Sequence, residues 1–223
     1  MKYKIKWVTL LIAFTFFKIV ILNGQKGEFG LRYMPVFTKF DINTSTGGKI
    51  AGDIELGYGI GALLGFNFTN HVGLQTEVIY NSYSQKYKDA AIERNINLKY
   101  INIPLLLALN TNKSKAINLG IVAGPQIGIS VGSKLLSTAG NEPNANVPIL
   151  SVKKGDLGFA YGAGLDIGLN AAHTFRLGLG FRGVHGLIDI RDQSATIATN
   201  SYYILDKTMI KVYSGYAGIS FLF

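Results

Sequence analysis

Apolar and polar residues alternate one by one along most of this chain. In DLGFAYGAGLDIGL (156–169) every odd position from Leu157 to Leu169 is apolar, while the even positions are Gly, Ala or Asp. In LGYGIGALLGFNF (56–68) the even positions run Leu56, Tyr58, Ile60, Ala62, Leu64, Phe66 and Phe68, set mostly against glycine. In INLGIVAGPQIGISVG (117–132) the odd positions carry Ile117, Leu119, Ile121, Ala123, Pro125, Ile127, Ile129 and Val131. A period of two is the signature of a strand with one face in an apolar medium.

The same test predicts strands at 28–39, 56–68, 73–86, 97–109, 117–132, 156–169, 174–187 and 207–223. Most are far longer than the five or six residues usual in globular sheets. Crossing a bilayer takes about 9–11 tilted strand residues. Short connections at 69–72, 110–116 and 170–173 alternate with long polar ones at 40–55, 87–96, 133–155 and 188–206. Strict alternation of short turns and long loops is the layout of outer-membrane barrels, and it puts both termini on the periplasmic side. An open sheet would expose unpaired backbone to hydrocarbon, so the sheet must close. The expected fold is an all-β, eight-stranded antiparallel transmembrane barrel in up-and-down order, integral to a bacterial outer membrane.

Composition agrees with a surface that does not face water. Of 223 residues, 48% are hydrophobic and only 16% charged, with 27 glycines, 13 Phe and 12 Tyr. The start, MKYKIKWVTLLIAFTFFKIVILNGQ, has Lys2, Lys4 and Lys6 before an apolar run and then Asn23 and Gly24, the pattern of a cleavable signal peptide. This divides the chain into a signal peptide at 1–24 and a barrel domain at 25–223. Residues 1–24 hold four lysines and no acid, so the net charge falls from +9 to +5, and no nucleic-acid partner is called for. The absence of cysteine excludes disulfides, thiolate metal sites and a lipid-anchored cysteine.

LQTEVIYNSYSQK (74–86), YINIPLLLAL (100–109), GIVAGPQIG (120–128) and FAYGAGLDIG (159–168) are similar, in this order, to strands of the PorT-type outer-membrane β-barrel family of Bacteroidota, an OmpA-like eight-stranded barrel domain. The matching residues are Tyr100, Ile103, Pro104, Leu105, Leu106 and Leu107, then Ala123, Gly124 and Pro125, with Leu74, Gln75, Glu77 and Tyr80 upstream. The chain departs from the family at Asn102, where an acid is usual, and in a bulkier first strand. The resemblance implies insertion by the outer-membrane assembly machinery, whose terminal signal YAGISFLF resembles, with Ile219, Phe221 and Phe223 on one face. One branch of the family is tied to type IX secretion and gliding; most members have no assigned role.

If the apolar rows face lipid, the charges of the opposite rows face the lumen: Arg32, Glu77, Asp156, Asp166, Arg176 and Arg182. An eight-stranded barrel is just wide enough for side chains to fill. Acids and bases there should pair, since an unpaired buried charge is costly. Asp166 is the expected partner of Arg176 and Arg182, and the glycines beside it the room for both arginines. An internal salt-bridge plug thus outweighs a narrow channel or uptake path, and polar outer rows would be needed for a soluble ligand-binding barrel.

Other candidates are weaker. GLGFRG (178–183) matches a dinucleotide fingerprint, but Leu177, Leu179 and Phe181 carry strand alternation straight through it, so the turn-to-helix context is missing. His71, His173 and His185 lack ligand spacing. Asp189 and Asp192 could bridge a divalent cation to lipopolysaccharide, and His185 could meet Ser194 and Asp189, but nothing positions a catalytic set. No enzyme activity, cofactor or metal is expected. Tyr80, Tyr83 and Tyr87 at one end, and Phe175, Phe221 and Phe223 at the other, read as interfacial girdles. Lys86, Lys88, Arg94 and Lys99 cluster about the second expected long loop and read as a solvated loop facing anionic headgroups. The expected partners are outer-membrane lipid and lipopolysaccharide, the assembly machinery, and proteins meeting loops 133–155 and 188–206.

Overall fold

The computed structural model describes residues 26–39, 42–43, 48–50, 52–89, 92–139, 147–192, 201–205 and 209–223. Residues 1–25, with the expected signal peptide, lie outside these. Eight long strands follow one another: β1 (Lys26–Lys39), β2 (Leu56–Asn67), β3 (Val72–Asp89), β4 (Ile92–Asn110), β5 (Ile117–Ala139), β6 (Gly155–Gly168), β7 (Phe175–Gly186) and β8 (Lys211–Leu222). Each pairs antiparallel with its sequence neighbours, and β1 pairs with β8 to close the barrel. The all-β, eight-stranded meander expected from the alternation is the fold.

Closure leaves no strand edge within the barrel wall, and the outward rows form an apolar belt. Leu31, Ile60, Leu64, Val78, Leu105, Ile121 and Ile219 are all about half exposed, as lipid-facing residues must be. Proline fits the wall at Pro35, Pro104 and Pro125, where the ladder skips pairs because proline has no N–H to donate.

Two expectations about the loops fail. The long connection expected at 87–96 is a continuation of β3 and β4, paired from Lys86↔Asn95 to Asp89↔Ile92. The loop expected at 133–155 begins with strand, since β5 runs on to Ala139. The cause is a reversal of polarity. Beyond the lipid belt the outward row of β4 turns polar at Lys99, Asn97, Asn95 and Glu93, while Tyr100, Leu98 and Ile96 turn inward and are fully buried. The β4–β5 ladder shifts register between Lys99 and Tyr100, at the level of this reversal.

The girdle expected from Tyr80, Tyr83 and Tyr87 is also corrected. Only Tyr80 falls on the outward row; Tyr83 and Tyr87 have the opposite parity and are buried inside. With Met34, Val36, Ile79, Leu98, Val212 and the connecting-segment residues Ile190, Ile204 and Leu205, they build an apolar core in the loop end of the barrel.

Candidate functional site: the charged interior

The turn end of the interior is filled in a different way. Lumen residues ascend each strand at every second position, so Glu28 and Arg32 of β1, Gln75 and Glu77 of β3, Asp166 of β6, and Arg176 and Arg182 of β7 all point inward. Two clusters result.

In the upper cluster Glu77 holds two arginines on one oxygen. Its Oε1 lies 2.6 Å from Arg32 Nη1 and 2.9 Å from Arg182 Nη2. Gln75 Nε2 donates to the same oxygen. Glu77 and Arg182 are each only 2% exposed. Tyr216 of β8 completes the group: the Arg32 guanidinium carbon sits 4.4 Å from the centre of its ring, close enough for a cation–π contact.

In the lower cluster Lys113 reaches into the barrel from the β4–β5 turn. Its Nζ stands 2.6 Å from Glu28 Oε2 and 3.5 Å from Asp166 Oδ2. The turn is shaped to deliver it. Asn112 Oδ1 accepts from Ser114 N at 2.9 Å, and Asn118 Oδ1 accepts from Asn112 N at 3.0 Å. Asn118 Nδ2 also donates to Asp166 Oδ2 at 3.1 Å.

Arg176, fully buried, binds the turns rather than a carboxylate. Its Nη1 donates to the carbonyls of Lys113 and Lys115 at 3.1 Å and of His173 at 2.9 Å, and its Nη2 to the Asp166 carbonyl at 3.2 Å. His173 offers that carbonyl from a left-handed conformation with φ of 54°. Guanidinium bonding to several carbonyls satisfies buried backbone that would otherwise be unpaired.

Arg32, Glu77 and Arg182 therefore meet directly, while the Asp166 carboxylate joins Arg176 through Lys113 and its turn. The partnership expected of the Asp166 carboxylate with Arg176 and Arg182 is corrected: Arg182 goes to Glu77, and the Asp166 carboxylate to Lys113 and Asn118. Glu28, Gln75, Lys113, Asn118 and Tyr216 were missed. Glu28 and Gln75 carried a signal, since each is in phase with a charge already assigned to the lumen. Lys113 carried none, because a turn lysine ordinarily points to water.

The glycines are corrected in part. A methyl group at Gly164 or Gly180 would strike the Tyr216 hydroxyl, so these two make room for the tyrosine under Arg32; a methyl group at Gly162 would come within 3.3 Å of Arg182 Nε. Between the clusters lies a cavity of about 20 Å³ lined by Arg32, Lys113, Asp166, Arg182 and Tyr216. That is room for about one water.

Asp156, the remaining expected lumen charge, stands in register with Gly128 away from both clusters. Ile219 and Phe221 lie exposed on the outer wall at the turn end, and the Phe223 ring stacks on Phe221 at 6.5 Å. Asp189 Oδ1 accepts from Arg191 N at 3.0 Å, His185 points outward, and Ser194 lies outside the described residues. Among the described residues no group of three or more His, Asp or Glu converges to hold a metal.

The model of the outer membrane protein β-barrel domain matches residues 25–192 of this chain. The chain belongs to that family. As an outer membrane β-barrel domain protein it is integral to the outer membrane, and its fold has solved counterparts. OprG from Pseudomonas aeruginosa is 16% identical over 88% of this chain and 96% of that one, with a TM-score of 0.55. Ail of Yersinia pestis, solved with the heparin analogue sucrose octasulfate, is 14% identical over 88% of this chain and 99% of its own, with a TM-score of 0.42. No curated protein matches the sequence. At these identities the likeness to OprG speaks for the fold of this barrel alone.

Proposed function

We propose that this barrel is a non-enzymatic outer-membrane protein whose lumen is plugged and whose work is done by the surfaces at its loop end. The observation that carries this reading is the filled interior: ion pairs and arginine-bound turns at one end, an apolar core at the other, and about 20 Å³ between the two clusters. A continuous water path needs far more space than one water. The termini are assigned to the periplasmic side and the loop end to the outside, following the usual disposition of short turns and long loops.

What remains for function is the outer part of the molecule, where β3, β4 and β5 rise past the lipid belt and Val147–Ile149 pairs with Ser201–Tyr203. A structural or interaction role through these segments follows. The PorT-type resemblance adds a class of partner, the type IX secretion machinery.

Planar-bilayer recording with the reconstituted barrel tests the plug: no reproducible ion steps are expected, and steps abolished by changing lumen residues would establish the rival, a narrow channel. Crosslinking in cells from positions in 133–155 and 188–206 tests the interaction role. Recovery of a defined protein partner is expected; none at either segment would end that role.

A further inference from the structure

The wall charges at the loop end contain one arrangement that the fold alone does not explain. Lys211 of β8 stands in direct register with Lys39 of β1 on one side and with His185 of β7 on the other. All three belong to the outward rows and are exposed. Two lysines facing each other across a ladder are destabilising unless something compensates. Elsewhere the rim supplies compensation, as where Glu55 Oε1 takes Lys86 Nζ at 3.0 Å. Among the described residues no carboxylate takes this role for Lys39, Lys211 or His185.

The row has a defined height. One step nearer the bilayer, Phe37 and Tyr213 face each other in register, both nearly half exposed. Phe181 stacks on Tyr213 with ring centres 6.4 Å apart. Aromatic rings of this kind mark the membrane–water interface. Two residues along a strand are about 7 Å and three neighbouring strands span about 10 Å, so Lys39, Lys211 and His185 form a short band just above the rings. That is the level of lipid headgroups, where phosphate is the anion at hand.

We infer that Lys39, Lys211 and His185 form a binding site for the phosphate groups of an outer-leaflet glycolipid, with Phe37, Tyr213 and Phe181 against the lipid below them. The inference rests on the orientation proposed above. The rings commit the site to a lipid-borne phosphate, since free phosphate has no use for an apolar floor.

The test is native mass spectrometry of the folded barrel in detergent with bis-phosphorylated lipid A. The wild type is expected to retain the lipid, and K39Q/K211Q/H185Q to retain it at least tenfold more weakly. K39R/K211R, which keeps the charges, should bind like the wild type, and K134Q, placed elsewhere on the rim, should match it within twofold. Each variant is first checked for the gel-mobility shift of a folded barrel on heating; should the triple variant fail it, K39Q/K211Q is read in its place. Equal retention by the neutralised variant and the wild type would overturn the site, as would equal retention of dephosphorylated lipid A. Displacement by millimolar inorganic phosphate would make it a free-anion site and overturn the lipid assignment. Labelling of Lys154→Cys from outside intact cells reports orientation separately, so a correctly oriented barrel that ignores lipid A sinks only this inference.

Discussion

The two ends of this barrel's interior solve opposite problems with the same strands. At the turn end the outside of the wall is lipid, so the apolar residues are already committed there, and the inside is filled by Glu28, Arg32, Glu77, Lys113, Arg176 and Arg182. At the loop end the outside is water, and the inside is an apolar core of Val36, Tyr83, Ile96, Leu98, Ile204 and Leu205. β4 shows the change within one strand: Ile103, Leu105, Leu107 and Leu109 face out in the belt, and Glu93, Asn95, Asn97 and Lys99 face out above it. The lesson concerns register. A strand whose two faces are both apolar would lose little by slipping one residue, whereas a slip in β1, β3 or β7 throws Arg32, Glu77 or Arg182 into lipid. The ionic half thus specifies register, and the apolar half behaves like a soluble core.

The largest effect should come from breaking the ionic half at its hub. Glu77→Ala leaves Arg32 and Arg182 buried without their carboxylate and should cost about 3–5 kcal/mol, read as a lower urea midpoint for unfolding from lipid vesicles. Replacing Arg32, Glu77 and Arg182 together by Met should recover most of that loss, because well-packed apolar groups often do as well as a buried ion pair. A triple variant no more stable than Glu77→Ala would mean that the cluster contributes more than charge balance.

The difference between the halves also explains what the sequence disclosed. The barrel, its closure and its lipid-facing rows were legible wherever lipid forced apolar residues outward, as in 156–169. The strand at 87–96 was not, because above the belt Lys86, Lys88 and Glu93 occupy the outward row and give it the composition of a loop. Tyr83 and Tyr87 were misplaced for the same reason, since interior aromatics there have the look of a girdle. In the site, Arg32, Glu77 and Arg182 were legible from strand parity. Their partners were not, because parity fixes the face on which a side chain lies and not its reach: Lys113 enters from a turn, and Tyr216 occupies space left by glycines on two neighbouring strands.

The apolar half should respond to lost volume rather than lost charge. Leu98→Ala, at a fully buried core position, should cost about 2–5 kcal/mol by the usual cavity penalty. If Leu98 lined a wet vestibule instead, the loss would fall below about 1 kcal/mol, the worth of burying one methylene group. Between these extremes lies the boundary layer at Tyr216. Gly164→Ala puts a methyl group against the Tyr216 hydroxyl, and overpacking of this sort should cost about 1–3 kcal/mol. Gly164→Ala combined with Tyr216→Leu should cost less than the two single changes added, which a double-mutant cycle would read directly.

The smallest effect is expected from an ion pair with the same chemistry as Glu77–Arg182 but on the other side of the wall. Lys86 meets Glu55 at 3.0 Å, with the lysine side chain 45% exposed, and Asn95 donates to the second oxygen of the same carboxylate at 2.5 Å. The hydrogen bond to Glu55, and then its charge, hold the Lys86 pKa above the ordinary 10.5. A raised pKa in the folded state means that whatever the pair contributes is fully present below the ordinary value and fades as pH rises through the raised one. Between about pH 6 and 9 the pair should therefore leave the unfolding midpoint flat. Water and salt screen such a pair almost completely, so Glu55→Gln should leave the urea midpoint within the scatter of the wild type under conditions where Glu77→Ala moves it far. A Glu55→Gln shift comparable to that of Glu77→Ala would show that the upper blade of β3 and β4 is held by charge, and the contrast between the two ends would no longer be one of medium.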